Sequence, residues 1–369
     1  MRIAYVYDAV YPWETGGVQK RVWELARRLA PDHDVHWYGL KYWDGPDVIE
    51  REGVTLHGVA TPPPLYAGGR RSIPEALTFA ARLLRPLCRE SFDVVDCQEF
   101  PYFPAFAGKA NAALTGTTLL LTWHEVWADY WYEYLGRRGA LGRLVERATA
   151  RLPDAHLAVS DRTRRDVMGL GVGDVTLLPN GVSREEVAAA PPSSDSVDVL
   201  FVGRLIPEKN ASLLVRAVDR MCERRPDVRC TILGEGPEAP ALEALVDRLD
   251  LGGNVTVRPP LERYEDVLGL MKAAEVVAAP SVREGFGMVV LEALACGTPV
   301  ATVSHPQNAA EELVADGVSG AVCRPSPDAF ARAIERAAVC SPRDCRAVAR
   351  PYEWDRLADR AEALYAEVA

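Results

Sequence analysis

The feature that most constrains this chain is an alternation of short apolar runs with amphipathic stretches, which proceeds, breaks and then restarts. Apolar runs of strand length fall at 2–7, 34–40, 54–59, 93–97, 117–122 and 155–159, with another near 174–178, and helical periodicity occupies 17–30, 74–90 and 140–152. Strands separated by helices imply a parallel sheet covered on both faces, hence an α/β fold. The stretch "AAAPPSSDS" (188–196) interrupts the pattern with proline and serine and reads as a linker. Strands then return at 197–203, 228–234, 254–257, 275–279, 299–302 and 320–323, with helices at 210–224, 238–249, 264–272, 287–295 and 326–338. The chain therefore divides into 1–180 and 181–351, followed by an amphipathic tail over 352–369 whose Trp354, Leu357, Ala358, Ala361 and Leu364 share helical spacing. A length of 369 residues suits two domains at roughly 100–200 residues each.

Composition narrows the function. A formal net charge of -10 argues against a surface that neutralises nucleic-acid phosphates, so no nucleic-acid partner is expected. No apolar run reaches the roughly 18 residues of a membrane span. The run Ile3–Tyr7 is too short for a signal-peptide core. The eight cysteines form no CxxC pair, which predicts a reduced, cytoplasmic protein without disulfides or zinc. The basic helical stretches 74–90 (Arg82, Arg85, Arg89) and 140–152 (Arg143, Arg147, Arg151) are ordinary solvated faces or, alternatively, a peripheral contact with an anionic membrane.

Ligands of open α/β sheets bind beyond the strand C-termini, so segments that follow strands carry the functional signal. After the first strand, Gly16 and Gly17 open a helix, allowing close backbone approach to an anion at the helix N-terminus. In "LFVGRLIPEKN", Gly203 ends a strand and Arg204 and Lys209 flank the turn, a pairing suited to a diphosphate. In "LGEGPEAPAL", Gly234, Gly236 and Ala239 match GxGxxA; the next strand ends in Arg258 rather than an acid, which favours a glycine turn beside a nucleotide over a dehydrogenase fingerprint. In "LLLTWHEVWADYWYEYLG", His124 follows a strand, and Trp123, Trp127 and Tyr130 belong to an aromatic segment that is either core or a surface suited to stacking on sugar rings. In "SVREGFGMVVLEALACGTPV", Glu284 lies in a loop and Glu292 within an apolar helix, where a buried carboxylate needs hydrogen-bond donors. Asp32, His33 and Asp34 read as a turn, and no metal site is expected.

Taken in order, Gly16-Gly17, His124, "LPNGV", "VGRLIPEKN", "GEGP", "EGFGMVVLE" (an E-x7-E pattern) and "ACGTPV" resemble the family 4 retaining glycosyltransferases of the GT-B fold, over nearly the full length and most specifically in the second half. The resemblance implies two Rossmann-like domains facing each other across a cleft, with an acceptor domain first, a nucleotide-sugar domain second, and the tail helix crossing back to the first. It also implies roles. Arg204 and Lys209 would hold the donor diphosphate, Glu292 the ribose, and Glu284 the transferred sugar. The backbone of Gly285, Phe286, Gly287 and Met288 would cradle sugar and phosphate. Gly17 would approach the diphosphate, His124 the donor sugar, and Arg258 the base. The donor expected is a UDP-sugar, with GDP-mannose next. The acceptor would be a sugar, cyclitol, natural product or lipid-linked hydroxyl, with no cofactor and no metal. The rival readings are a sugar-nucleotide 2-epimerase of the same architecture and a non-catalytic sugar-nucleotide-binding protein. The acceptor and the oligomeric state are not legible.

Overall fold

The computed structural model describes residues 1–62, 66–67, 70–71, 73–195 and 197–369; Ser196, the end of the expected linker, lies outside the described residues. The chain divides into two compact units: Met1–Asn180 with Trp354–Ala369, and Gly181–Glu353.

The first unit is built on an eight-stranded sheet. Its strands are β1 (Arg2–Val6), β2 (Asp34–Gly39), β3 (Val48–Arg51), β4 (Val54–Gly58), β7 (Val94–Gln98), β8 (Thr118–Trp123), β9 (Ala155–Ala158) and β10 (Val175–Leu177). The short pair β5 (Tyr66–Ala67) and β6 (Arg70–Arg71) stands apart as its own two-stranded sheet. The order across the main sheet is β10-β9-β8-β7-β1-β2-β4-β3, and every pairing is parallel except β3 on β4. Central β1 and β7 are buried on both faces; β1 reads as an unbroken apolar run from Ile3 to Val6, whereas β7 buries Asp96 and Gln98 among its apolar residues. Helices α1 (Gly17–Leu29), α2 (Ile73–Leu87), α3 (Pro104–Thr115), α4 (Tyr130–Leu135), α5 (Gly139–Thr149) and α6 (Asp161–Met168) connect the strands. The tail helix, Trp354–Val368, packs beside α1, and its Trp354, Leu357 and Tyr365 belong to the core of this unit.

The second unit carries a six-stranded parallel sheet ordered β13-β12-β11-β14-β16-β18. Its strands are β11 (Val197–Val202), β12 (Cys230–Leu233), β13 (Val255–Arg258), β14 (Ala274–Ala279), β16 (Val300–Val303) and β18 (Gly320–Cys323). A two-residue pair, β15 (Arg283–Glu284) and β17 (Gln307–Asn308), forms separately. Helices α7 (Arg184–Ala189), α8 (Ala211–Cys222), α9 (Ala239–Arg248), α10 (Tyr264–Ala273), α11 (Met288–Cys296), α12 (Pro327–Ala337) and α13 (Pro342–Ala349) complete the unit. The segment read as a free linker is instead packed onto the unit. Residues 184–189 are helical, Ser193 N–H donates to the carbonyl of Gly269 at 2.9 Å, and Asp195 pairs with Arg258 at 2.9 Å. Among the described residues no helix is long and apolar enough to cross a membrane.

Candidate functional site

Each sheet changes direction once. In the second unit the chain leaves β11 toward β12 and β13, then returns to place β14 on the other side of β11. A crevice opens where connections diverge in this way, at the C-terminal ends of the two strands. The loops there hold Arg204 and Lys209 after β11, and Glu284 after β14. Lys209 Nζ donates to Glu284 Oε1, which also accepts from Ser281 Oγ at 3.0 Å. Val282 N–H donates to the Glu208 carbonyl at 2.9 Å and ties the two loops together. Both charged side chains of the ion pair are about one-fifth exposed, so water screens their attraction only in part. Arg204 is exposed, and no interaction of its side chain is seen among the described residues.

Four residues past Glu284, α11 begins. Its N-cap is Gly287, with φ of 99° and an added Cβ only 2.5 Å from that of Ala310, so glycine is required there by backbone and by space. At the start of α11 the N–H groups of Met288 and Val289 have no preceding helical carbonyl to bond, whereas those of Val290 and Leu291 donate to the Gly287 carbonyl, and this end carries the positive pole of the helix dipole. Phe286 contributes differently from Gly285 and Gly287: its ring is buried and meets Tyr352 edge-on at 6.1 Å. One helical turn further on, Glu292 is 7% exposed and its Oε1 accepts from Tyr264 Oη at 2.7 Å. Burial and the neighbouring carboxylate push the Tyr264 phenol well above its usual range. Tyr264 was missed by sequence reasoning because nothing local links it to a residue 28 positions away.

The GxGxxA loop serves the protein's own packing. A Cβ on Gly234 would stand 1.9 Å from the Gly203 carbonyl oxygen, and one on Gly236 2.3 Å from that of Leu205. These glycines let the β11 and β12 loops touch, with Leu205 N–H donating to Glu235 O at 2.7 Å. Gly234→Ala should therefore destabilise the second unit by about 1–3 kcal/mol, as overpacking does. Denaturant unfolding would show it, and unchanged stability would remove the packing account. Arg258 ends edge strand β13 and is held by Asp195, so its guanidinium is engaged within the unit.

In the first unit the change of direction lies between β1 and β7. Gly16 is the N-cap of α1, and the Lys20 N–H donates to its carbonyl at 3.0 Å. Gly17 is the first residue of that helix. One turn along, Arg21 is 1% exposed, with Nη1 donating to the Pro179 carbonyl at 2.7 Å and to Asn180 Oδ1 at 3.2 Å. Half-buried His124 follows β8, its Nε2 2.9 Å from Gln98 Oε1 at the tip of β7. Desolvation, with the Arg21 charge added, lowers the His124 imidazole to about 3.

Expectations for the aromatic segment need correction. Trp123 is fully buried in β8, its Nε1 donating to His156 Nδ1 at 3.1 Å, so it is core and cannot meet an acceptor. Strand alternation turns it inward, whereas His124 lies past the strand end. Trp127 is half-buried and stacks on Phe100 at 4.8 Å, with Tyr130, Trp131 and Tyr134 around it at 5.2, 4.7 and 4.9 Å. Beneath it, Glu146 accepts from Tyr102 Oη and from the N–H groups of Trp127 and Ala128 at 2.8–3.0 Å. Tyr130 stays half-buried at the rim of this cluster. Among the described residues no group of three or more His, Cys, Asp or Glu side chains could hold a metal ion.

Two parallel open sheets, each with its ligand-type crevice, place the chain among proteins of the GT-B fold. Sucrose-phosphate synthase from Thermosynechococcus elongatus superposes with a TM-score of 0.80 at 21% identity, covering 100% of this chain and 98% of that one. An Anabaena protein in complex with UDP-glucose gives 0.76 at 18% identity, covering 99% and 100%. Two family models match consecutive parts of the sequence: Glycosyltransferase Family 4 over residues 15–186 and Glycosyl transferases group 1 over residues 183–362. The chain belongs to glycosyltransferase family 4. Among individual relatives, D-inositol 3-phosphate glycosyltransferase of Mycobacterium sp. (strain JLS) is 38% identical over 169 residues, 44% of this chain. That match spans 36% of the relative's own length.

Proposed function

We propose that this chain transfers a hexosyl or N-acetylhexosaminyl unit from a nucleotide diphosphate sugar to an acceptor hydroxyl, with retention of the anomeric configuration and without a metal. The observation that carries the reading is the meeting of Lys209 and Glu284 at the crevice of the second sheet, between exposed Arg204 and the N-terminus of α11. A cation and a carboxylate side by side fit the two ends of the bond to be broken. Lys209, Arg204 and the α11 N–H groups face the diphosphate oxygens, on which negative charge grows as the sugar leaves. Glu284 accepts hydroxyls of the transferred sugar, and Glu292, one turn into the helix, those of the ribose. In this reading Glu284 is a ligand of sugar hydroxyls rather than a covalent nucleophile, and the leaving phosphate takes the acceptor proton.

A UDP-sugar is the first donor of this reading and GDP-mannose the next; the UDP-glucose complex of the Anabaena neighbour supports the former. The inositol phosphate relative supports a cyclitol or sugar hydroxyl as acceptor. A thermal-shift panel of UDP, GDP, ADP and their sugars, followed by transfer assays with the stabilising donor, tests the proposal. Stabilisation by one nucleotide family and transfer that persists in EDTA are expected. Loss of transfer on chelation, restored by Mn²⁺ or Mg²⁺, would overturn the metal-free mechanism. Interconversion of the sugar without transfer would point to an epimerase.

A further inference from the structure

Beneath His124 lies a buried polar chain that sugar-nucleotide binding does not account for. Its Nε2 is 2.9 Å from Gln98 Oε1, and Gln98 Nε2 donates to Asp96 Oδ1 at 3.1 Å. Asp96, fully buried, also accepts from Thr122 Oγ1 at 2.7 Å and, on Oδ2, from Tyr365 Oη of the tail helix at 2.7 Å. Tyr365 Oη is in turn 3.3 Å from Tyr5 Oη.

The order of donors along this chain is forced. Asp96 accepts from Thr122 and Tyr365, and the amide nitrogen of Gln98 faces it as the third donor. The amide oxygen then faces His124, and that nitrogen of the imidazole must carry the proton. A neutral imidazole has one N–H, which leaves Nδ1 as a bare acceptor; it has no partner among the described residues. We propose that Gln98, oriented by Asp96 and through it by Tyr365, is a positioning residue that fixes His124 as the Nε2–H tautomer and presents Nδ1 to a substrate hydroxyl. The inference rests on the reading of His124 as a substrate contact only for that last clause.

The charged and titratable groups around His124 act consistently. Arg21 from α1 opposes protonation of the ring. Glu99, at the end of β7, accepts the His124 backbone N–H at 3.2 Å, and burial raises its carboxyl well above the usual range, so it supplies little negative charge. Burial raises the Asp96 carboxyl above its ordinary range, and its bonds to Tyr365, Thr122 and Gln98 and the nearby Arg21 offset only part of that rise.

Nitrogen-15 NMR of the histidine rings in the unliganded full chain tests this, since only six histidines are present. The His124 signals, identified by their loss in His124→Asn, should show the Nε2–H form and stay constant from about pH 8 to about pH 5, because its folded pKa lies below that range. Gln98→Met, nearly the same shape without the acceptor, should yield a mixture of tautomers. The same change should lower kcat about tenfold, the worth of one lost hydrogen bond, with unchanged nucleotide affinity. An unchanged melting temperature and circular dichroism spectrum of Gln98→Met, with wild-type signals from the other five histidines, exclude misfolding as the cause. An Nδ1–H form in the wild type, or an unchanged tautomer in Gln98→Met, would overturn the proposal whatever the transfer rate. A shifted tautomer with full activity would leave the tautomer assignment standing and remove His124 from contact with the substrate.

Discussion

Lys209→Ala should lower the rate of glycosyl transfer by roughly 10²–10³-fold, the usual loss when one preorganised donor to developing negative charge is removed. The loss should fall mainly on kcat, because the charge on the diphosphate is greatest as the sugar departs. The ion pair with Glu284 gives the prediction a second signature. Without its cation, Glu284 sits half-buried among the β14 loop with Ser281 as its donor. The double variant Lys209→Ala/Glu284→Gln should therefore lose less than the sum of the two single losses, as expected for groups in direct contact. Initial rates with a saturating donor measure both effects. A wild-type rate in Lys209→Ala would remove Lys209 from the diphosphate, and strict additivity would mean that the pair does not work as a unit.

Glu292→Gln should weaken binding of the free nucleotide by about 10–100-fold, the worth of hydrogen bonds to a charged group. The expected partners are the two ribose hydroxyls, and a neutral amide offers them one acceptor in place of two. Tyr264 makes the interpretation testable. Its hydroxyl holds Glu292 Oε1 at 2.7 Å, so Tyr264→Phe should weaken the same binding by a smaller factor while leaving the carboxylate in place. Titration calorimetry with the nucleotide identified by thermal shift reads both. An unchanged Kd in Glu292→Gln would leave Glu292 as a carboxylate buried only to hold α10 against α11.

Strands were readable wherever both faces are buried, because an unbroken apolar run has few alternatives there. Strand β3, an antiparallel edge with Val48 half-exposed, carries no such signal and was missed. Helix α3 was missed for a different reason: "PAFAGKANAALT" is small and apolar on most sides and shows little amphipathic contrast. Helix α6, "DRTRRDVM", is almost wholly polar and is fixed by Ser160 capping the Thr163 N–H at 3.1 Å. At the candidate site, the residues that follow strands were legible because topology puts them at the crevices. Their supports were not. Tyr264, Gln98, Asp96 and Tyr365 act across 26 to 269 positions of sequence, and no local pattern encodes such a pairing. Trp123 was misread because a tryptophan next to His124 looks like a stacking platform; only the pleat of β8 shows which way it faces.

The tail helix has a consequence for the order in which the molecule can be made. Trp354, Leu357 and Tyr365 complete the core of the first unit, yet the ribosome reaches them only after all of the second unit. During synthesis Asp96 must wait, with its Tyr365 partner still untranslated, while the residues 181–353 emerge and fold. The first unit therefore starts first and finishes last, and a nascent chain stalled before Trp354 should expose an unfilled groove beside α1 for a chaperone to cover.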